Sequence, residues 1–201
     1  YTTATGQALE DITPRETMER ALAAVDYAAF RRQAEARTAG RHIGLGVCVV
    51  VESTTYGSAF YKAAGIAGSG HEAAWVRIEP SGAVNASVGL MSTGQGYETA
   101  LAQAVAEGLG VAAEEVHLHT GHTDIAPYGM GSRGGRGGTA GGSVLFLAAR
   151  AMQAKILAIA ARLLNLNSPD ELRLRQGRVE RRTGGEWADA GLGLADVSRI
   201  A

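Results

Sequence analysis

Two glycine-bounded segments have the residue types needed to hold an anion. The first is Gly94-Gln95-Gly96, which opens an apolar-striped run from Tyr97 to Leu109; the second is the glycine-dense stretch Gly129–Gly142. Glycine beside a helix start lets backbone N–H groups close on a phosphate or carboxylate. In the first segment Gln95 adds an amide that both donates and accepts, and Thr99 places a hydroxyl in the first helical turn. A plain turn competes as a reading of Gly-Gln-Gly, but its context is strand, glycine turn, helix. Two such places joined by one helix and one strand suit a large phosphate-bearing cofactor better than a single phosphate.

The second segment is not a nucleotide P-loop, because no Gly-Lys-Ser/Thr is present. Gly129-Met130-Gly131-Ser132-Arg133-Gly134 has GxGxxG spacing but no acidic residue about 20 positions on in a following strand. A flexible linker is implausible between a buried strand and a buried helix. Arg133-Gly134-Gly135 and Arg136-Gly137-Gly138 resemble RNA-binding boxes, yet the net charge of −1 lacks the basic footprint of a nucleic-acid partner. An anion cradle of backbone N–H groups with one or two guanidinium forks fits best. His117 and His119 share a strand face with His122 just beyond, but no fourth ligand has matching spacing, so no metal site is assigned. Glu114-Glu115 reads as a solvated turn. No serine–histidine–acid order stands out, and no catalytic residue is assigned. Cys48, the lone cysteine, lies in the apolar run Val47–Val51 and is expected to be a buried, inert thiol.

These residues need positioning elements. Thr13-Pro14-Arg15-Glu16 is a helix start with the pattern of a capping box, and Asp26 caps a second helix that Gly40 ends. Ile43–Val51 reads as a buried strand and Thr54–Gly70 as a loop. Ala74, Val76 and Ile78, then Val84, Ala86 and Val88, alternate about Pro80-Ser81-Gly82, which is a hairpin. Tyr97–Leu109 is a helix, Val116–Thr120 a strand, and Ser143–Leu164 a long, largely buried helix. Arginine and glutamine interrupt the apolar run of that helix, so no membrane span is expected. Leu172–Arg175 and Arg178–Arg182 form a second hairpin, and Leu194–Ile200 is helix-like. The fold class is α+β (mixed α/β), with helices packed on a largely mixed sheet. The expected organisation is a helical lead-in over residues 1–41 and a partial domain over 42–201. The start at Tyr1 without methionine, and the twenty-eight glycines against four prolines, lead us to expect a piece of a longer polypeptide. No charged-then-apolar leader is seen, so a cytoplasmic location is expected.

In order, these pieces resemble the molybdenum-binding large subunit of the xanthine dehydrogenase/aldehyde oxidase family, especially its carbon-monoxide-dehydrogenase type. Ala21-Leu22, Asp26-Tyr27 through Gly40-Arg41, and Gly44-Leu45-Gly46 to Val51-Glu52 resemble that family's lead-in to its second cofactor domain. Glu79-Pro80-Ser81-Gly82 to Gly89, followed by Gly94-Gln95-Gly96-Tyr97-Glu98-Thr99 and Ala102-Gln103, resemble its pterin loop and helix. Gly121-His122-Thr123-Asp124 with Pro127-Tyr128-Gly129-Met130-Gly131 resemble its next loop. Tyr97 stands where the family usually has histidine, and His122 where it usually has aspartate. The family's Gly-Thr-x-x-Ser-Arg, aligned without gaps, puts Ser132 at the threonine, Gly135 at the serine and Arg136 at the arginine; pairing Ser132-Arg133 with Ser-Arg needs a three-residue deletion.

The resemblance implies a segment of a molybdopterin-dependent hydroxylase acting on a small-molecule substrate. Its cofactor would be molybdenum on molybdopterin, in the cytosine dinucleotide form, with iron–sulfur clusters and FAD on partner subunits. Gly94, Gln95, Gly96, Thr99, Ser132, Gly135 and Arg136 would touch the cofactor, whose own sulfurs hold the metal. The remaining segments of the large subunit would carry the catalytic glutamate and an earlier cofactor loop, so the isolated segment is expected to be inactive. A non-catalytic anion- or nucleotide-binding module derived from the same fold is the alternative.

Overall fold

A computed structural model describes residues 2, 4, 6, 8–36, 40, 42–50, 57–67 and 70–201, and it divides the chain into two units, Tyr1–Val51 and Glu52–Ala201. In the first unit, α1 (Pro14–Ala24) begins where the Thr13-Pro14 signal places it. The reciprocal capping box does not form, because the Thr13 side chain makes no cap bond. Arg15–Glu19 and Arg20–Glu16 pairs one turn apart support the exposed helix instead. Asp26 caps α2 (Tyr27–Glu35), accepting from the Ala29 N–H at 3.0 Å. That helix ends before Gly40; residues 37–39, between them, lie outside the described residues.

The expected buried strand over residues 43–51 is not found. Residues 42–50 belong to no ladder, Val47, Val49 and Val50 are exposed, and Cys48 is exposed with them; Val51 lies outside the described residues. β-Branched residues favour a pleated, half-buried surface, and no described segment offers this run a pairing edge.

In the second unit a short helix, α3 (Ser58–Ala63), interrupts what reads as a loop, and it buries Tyr61; residues 52–56, 68 and 69 of that loop lie outside the described residues. β1 (Ala74–Ile78) and β2 (Val84–Val88) form the expected hairpin, in register from Ala74 opposite Val88 to Ile78 opposite Val84. The chain then crosses over through α4 (Tyr97–Leu109) to β3 (Val116–His119), which runs parallel to β2 with Val84 opposite Val116. A parallel neighbour requires such a crossover, and it throws α4 onto one sheet face. Val84, Ala86 and Val88 are buried there with Leu101, Val105 and Leu109 of α4.

A π-helical turn at Gly137–Gly141 runs directly into α5 (Gly142–Leu163), which packs on α4 and β1. The α4–α5 contact is close because Gly108 faces the Phe146 carbonyl and Ala149, leaving no room for a Cβ. Only one side of α5 is buried, through Leu145, Ala149, Ile156 and Ala160, while Leu147 is exposed. By length and composition alone, Gly137–Leu163 is long and apolar enough to cross a membrane, a test that a core helix also passes. Arg150, Lys155 and Arg162 space its charges a turn or two apart, and its apolar stripe belongs to the protein core.

The second hairpin, β4 (Leu172–Arg175) and β5 (Arg178–Thr183), gains an unexpected third strand, β6 (Glu186–Gly193). A register shift at Val179/Glu180 accommodates it, and Arg173 stacks over Trp187 at 4.3 Å. α6 (Leu194–Ser198) closes the chain, with Leu194 and Val197 in the core. Among the described residues the architecture is mixed helices with two small sheets, one mixed and one antiparallel.

Candidate functional site

The two glycine segments meet at the end of β2. The backbone is left-handed at both Gly94 (φ 99°) and Gly96 (φ 76°), with open space where a side chain would stand. Glycine is therefore required there by the turn rather than by packing. Gln95 folds back so that its Oε1 accepts from the Thr93 N–H and hydroxyl. Gly121 donates to the Leu90 carbonyl at 3.2 Å, bringing in the chain that follows β3. Ser132 completes the junction: its hydroxyl donates to the Met91 carbonyl at 2.5 Å and accepts from the Met91 N–H at 3.0 Å.

Between the joined loops lies a cleft of about 320 Å³. Thr93, Gln95 and Tyr97 line one wall; Ser132, Arg133 and the backbone of Gly134, Gly135, Gly137 and Gly138 line the other. Gly137 and Gly138 open the long helix that continues as α5, so the cleft sits at the positive end of its dipole, where N–H groups lack intrahelical acceptors. Arg133 supplies a full positive charge. Its Nε and Nη2 donate to the Tyr61 hydroxyl at 3.1 and 2.7 Å, and its Nη1 donates to the Met130 carbonyl at 2.7 Å. The guanidinium thereby lies over the Tyr61 ring, 5.2 Å from its centre, with N–H groups to spare. Helix terminus, glycine backbone and guanidinium all favour an anionic ligand.

The sequence-derived residues fare differently. Gln95, Ser132 and Gly135 line the cleft, and Gly94 and Gly96 shape the turn that frames it. Thr99 is exposed and stands off the cleft wall. The Ser132 hydroxyl has already donated its proton to Met91, so it offers a ligand only a lone pair. Arg136 needs the largest correction. It is completely buried, paired with Glu72 at 3.3 Å, and donates to the carbonyls of Gly131 (3.0 Å), Gly70 (3.2 Å) and His71 (2.9 Å). Its charge is turned into the fold, and Arg133 takes the place on the wall that Arg136 was expected to fill.

Glu72, in turn, lies between Gly89 and Gly129, where a Cβ on either would overlap its carboxylate. Part of the glycine density is thus packing around a buried ion pair. The histidines also separate: His119 pairs with Asn85 at 3.0 Å and stacks on Trp75, while His117 and His122 are exposed. Among the described residues no three His, Cys, Asp or Glu side chains come together as a metal site. Glu115 accepts from the Ala112 N–H at 3.0 Å, as a turn residue does.

Residues 20–199 match the family described as molybdopterin cofactor-binding domain. The large subunit of nicotine 6-hydroxylase from Paenarthrobacter nicotinovorans is 38% identical over 82% of the chain, and the carbon monoxide dehydrogenase large chain of Hydrogenophaga pseudoflava is 34% identical over 85%. The chain spans only 20% and 22% of these relatives. Quinoline 2-oxidoreductase from Pseudomonas putida 86 superposes over 98% of the chain and 25% of its own (TM-score 0.64, 33% identity). CO dehydrogenase from Oligotropha carboxidovorans does so over the same shares (TM-score 0.60, 25% identity). The chain belongs to the molybdopterin cofactor-binding domain family.

Proposed function

We propose that this chain forms one wall of the molybdopterin site in a molybdenum hydroxylase large subunit, and that the cleft between the two glycine segments holds the cofactor's phosphate-bearing part. The observation that supports this most directly is the convergence of Gln95, Arg133 and the N-terminus of the Gly137–Leu163 helix on one volume. Phosphate oxygens are acceptors, and the cleft supplies donors: N–H groups at Gly137 and Gly138, the Arg133 guanidinium and the Gln95 amide. A dinucleotide form of the cofactor suits two linked anion contacts. When bound, the molybdenum group supplies two-electron oxidation of an electron-poor carbon, with oxygen drawn from water. The chain's own residues bind and orient the cofactor and shield its charge. The catalytic acid/base, the substrate pocket, and the iron–sulfur and flavin partners belong to the remaining segments and subunits of a cytoplasmic complex.

The test is molybdenum and pterin content per subunit in the full-length protein, purified with its partners. Arg133→Ala and Gln95→Ala should each lower both together, by removing a donor to a desolvated ligand, worth roughly 1–3 kcal/mol or about one to two decades in affinity. Wild-type cofactor content in both variants would refute the assignment.

A further inference from the structure

Among the described residues, the fold gives the Tyr97 hydroxyl in the cleft no hydrogen-bond partner. Tyr97, the first residue of α4, is only 8% exposed, yet it lines the cleft, and no hydrogen bond to its hydroxyl forms among the described residues. Its phenol head packs directly on Gly137, where a Cβ would overlap both the hydroxyl and the ring. The glycine at the helix start therefore makes room for this tyrosine. The ring is buried while its oxygen opens on the cleft, and phenylalanine would fill the ring's space as well. The hydroxyl thus ties no part of the described fold together and is open to a ligand in the cleft.

Three kinds of donor now converge on one volume: this hydroxyl, the Arg133 guanidinium, and the N–H groups of the first helical turn. Such a group of donors recognises an oxyanion. We propose that Tyr97 is a ligand-contacting residue whose hydroxyl donates a hydrogen bond to a phosphate oxygen of the bound cofactor; this rests on reading the cleft as the cofactor's phosphate site. Gly137 is the positioning partner that lets the ring lie against the helix terminus.

The experiment uses cofactor-free full-length large subunit, made in cells that cannot synthesise molybdopterin, with inorganic pyrophosphate as the probe. Calorimetric titration gives its dissociation constant for wild type, Tyr97→Phe and Gly137→Ala, and thermal unfolding is recorded on the same samples. Tyr97→Phe keeps the ring and removes only the oxygen. It should weaken pyrophosphate binding about tenfold while leaving the melting temperature of the cofactor-free protein unchanged or higher. A merely structural hydroxyl predicts the opposite pattern, lower melting and unaltered binding. Gly137→Ala should weaken binding at least as much, because it displaces the phenol. If wild type binds no pyrophosphate, the reading of the cleft as a phosphate site fails. If wild type binds and Tyr97→Phe binds equally well, or melts lower, the role of Tyr97 is refuted.

Discussion

Replacing Arg136 by methionine should destabilise the second unit far more than any change at Arg133. The guanidinium is completely buried and holds three backbone carbonyls, from Gly70, His71 and Gly131, besides its ion pair with Glu72. The pair is not ideal: the Arg136 Nε and the Glu72 Oε2 each lack a hydrogen-bond partner, so its net worth against an apolar pair is small. Removing one member is a different matter, because it strands a carboxylate whose side chain is 1% exposed between Gly89 and Gly129. Breaking such a pair costs about 3–5 kcal/mol, a large share of the roughly 5–15 kcal/mol that holds a domain together. With a urea slope of about 2 kcal/mol per molar, the midpoint should fall by roughly 1.5–2.5 M. The assay is equilibrium urea unfolding of the 201-residue chain, followed by the fluorescence of Trp75 and Trp187, one in each sheet. Glu72→Gln added to Arg136→Met removes the stranded charge, so the double variant should be more stable than Arg136→Met alone. A midpoint for Arg136→Met at the wild-type value, or a double variant whose loss equals the sum of the two singles, would refute the buried-pair argument.

Cys48 is exposed, so a thiol reagent should label it in the folded 201-residue chain at a rate near that of the urea-unfolded chain; strong protection would contradict the placement. Ser132→Ala removes both bonds to Met91 and should cost about 1–2 kcal/mol in the same unfolding assay, together with faster amide exchange at Met91. The Asp189 carboxyl is held below its usual value of 3.8, first by the Gly191 N–H and then by the Arg178 guanidinium. A depressed native value stabilises the fold above the unfolded value and is lost as pH falls through the native one. Asp189→Asn should therefore lower the urea midpoint at pH 7, and the difference from wild type should shrink progressively below pH 3.8; a constant difference would show that the carboxylate's charge is not responsible.

The elements around the site were legible because each carries its own local signal. The alternation at Val76 and Val84–Val88 reports a sheet with one covered face, and the 3.6-residue spacing from Tyr97 to Leu109 reports the helix that covers it. Pro14 marks a helix start through its fixed φ, and Asp26 through the bond it accepts from Ala29. Where the outcome depends on a distant partner, the sequence is silent or misleading. Val47–Val50 has the composition of a buried strand, but pairing is a property of two segments, and no described segment pairs with this one. β6 was hidden for the reverse reason: Glu186–Gly193 has weak strand character of its own and is held by pairing with β5 and by Arg173 on Trp187.

The glycine-dense segment shows the same limit within the site itself. Written as letters, its glycines are equivalent and its two arginines interchangeable. In the fold, Gly129 accommodates the Glu72 carboxylate and Gly137 the Tyr97 ring, while Gly131 adopts a left-handed backbone with open space beside it. The arginines three residues apart end up with opposite roles, because the chain turns between them and enters a helix. Arg136 lies on the inward side, where only an acidic partner makes burial tolerable, and Glu72 sits some sixty residues earlier at the entrance to β1. No spacing rule within the segment could connect it to that glutamate. A register drawn from a motif therefore identifies the loop but cannot say which cation faces the cleft. That is decided by the long-range pair of Arg136 with Glu72, which leaves Arg133 on the cleft wall.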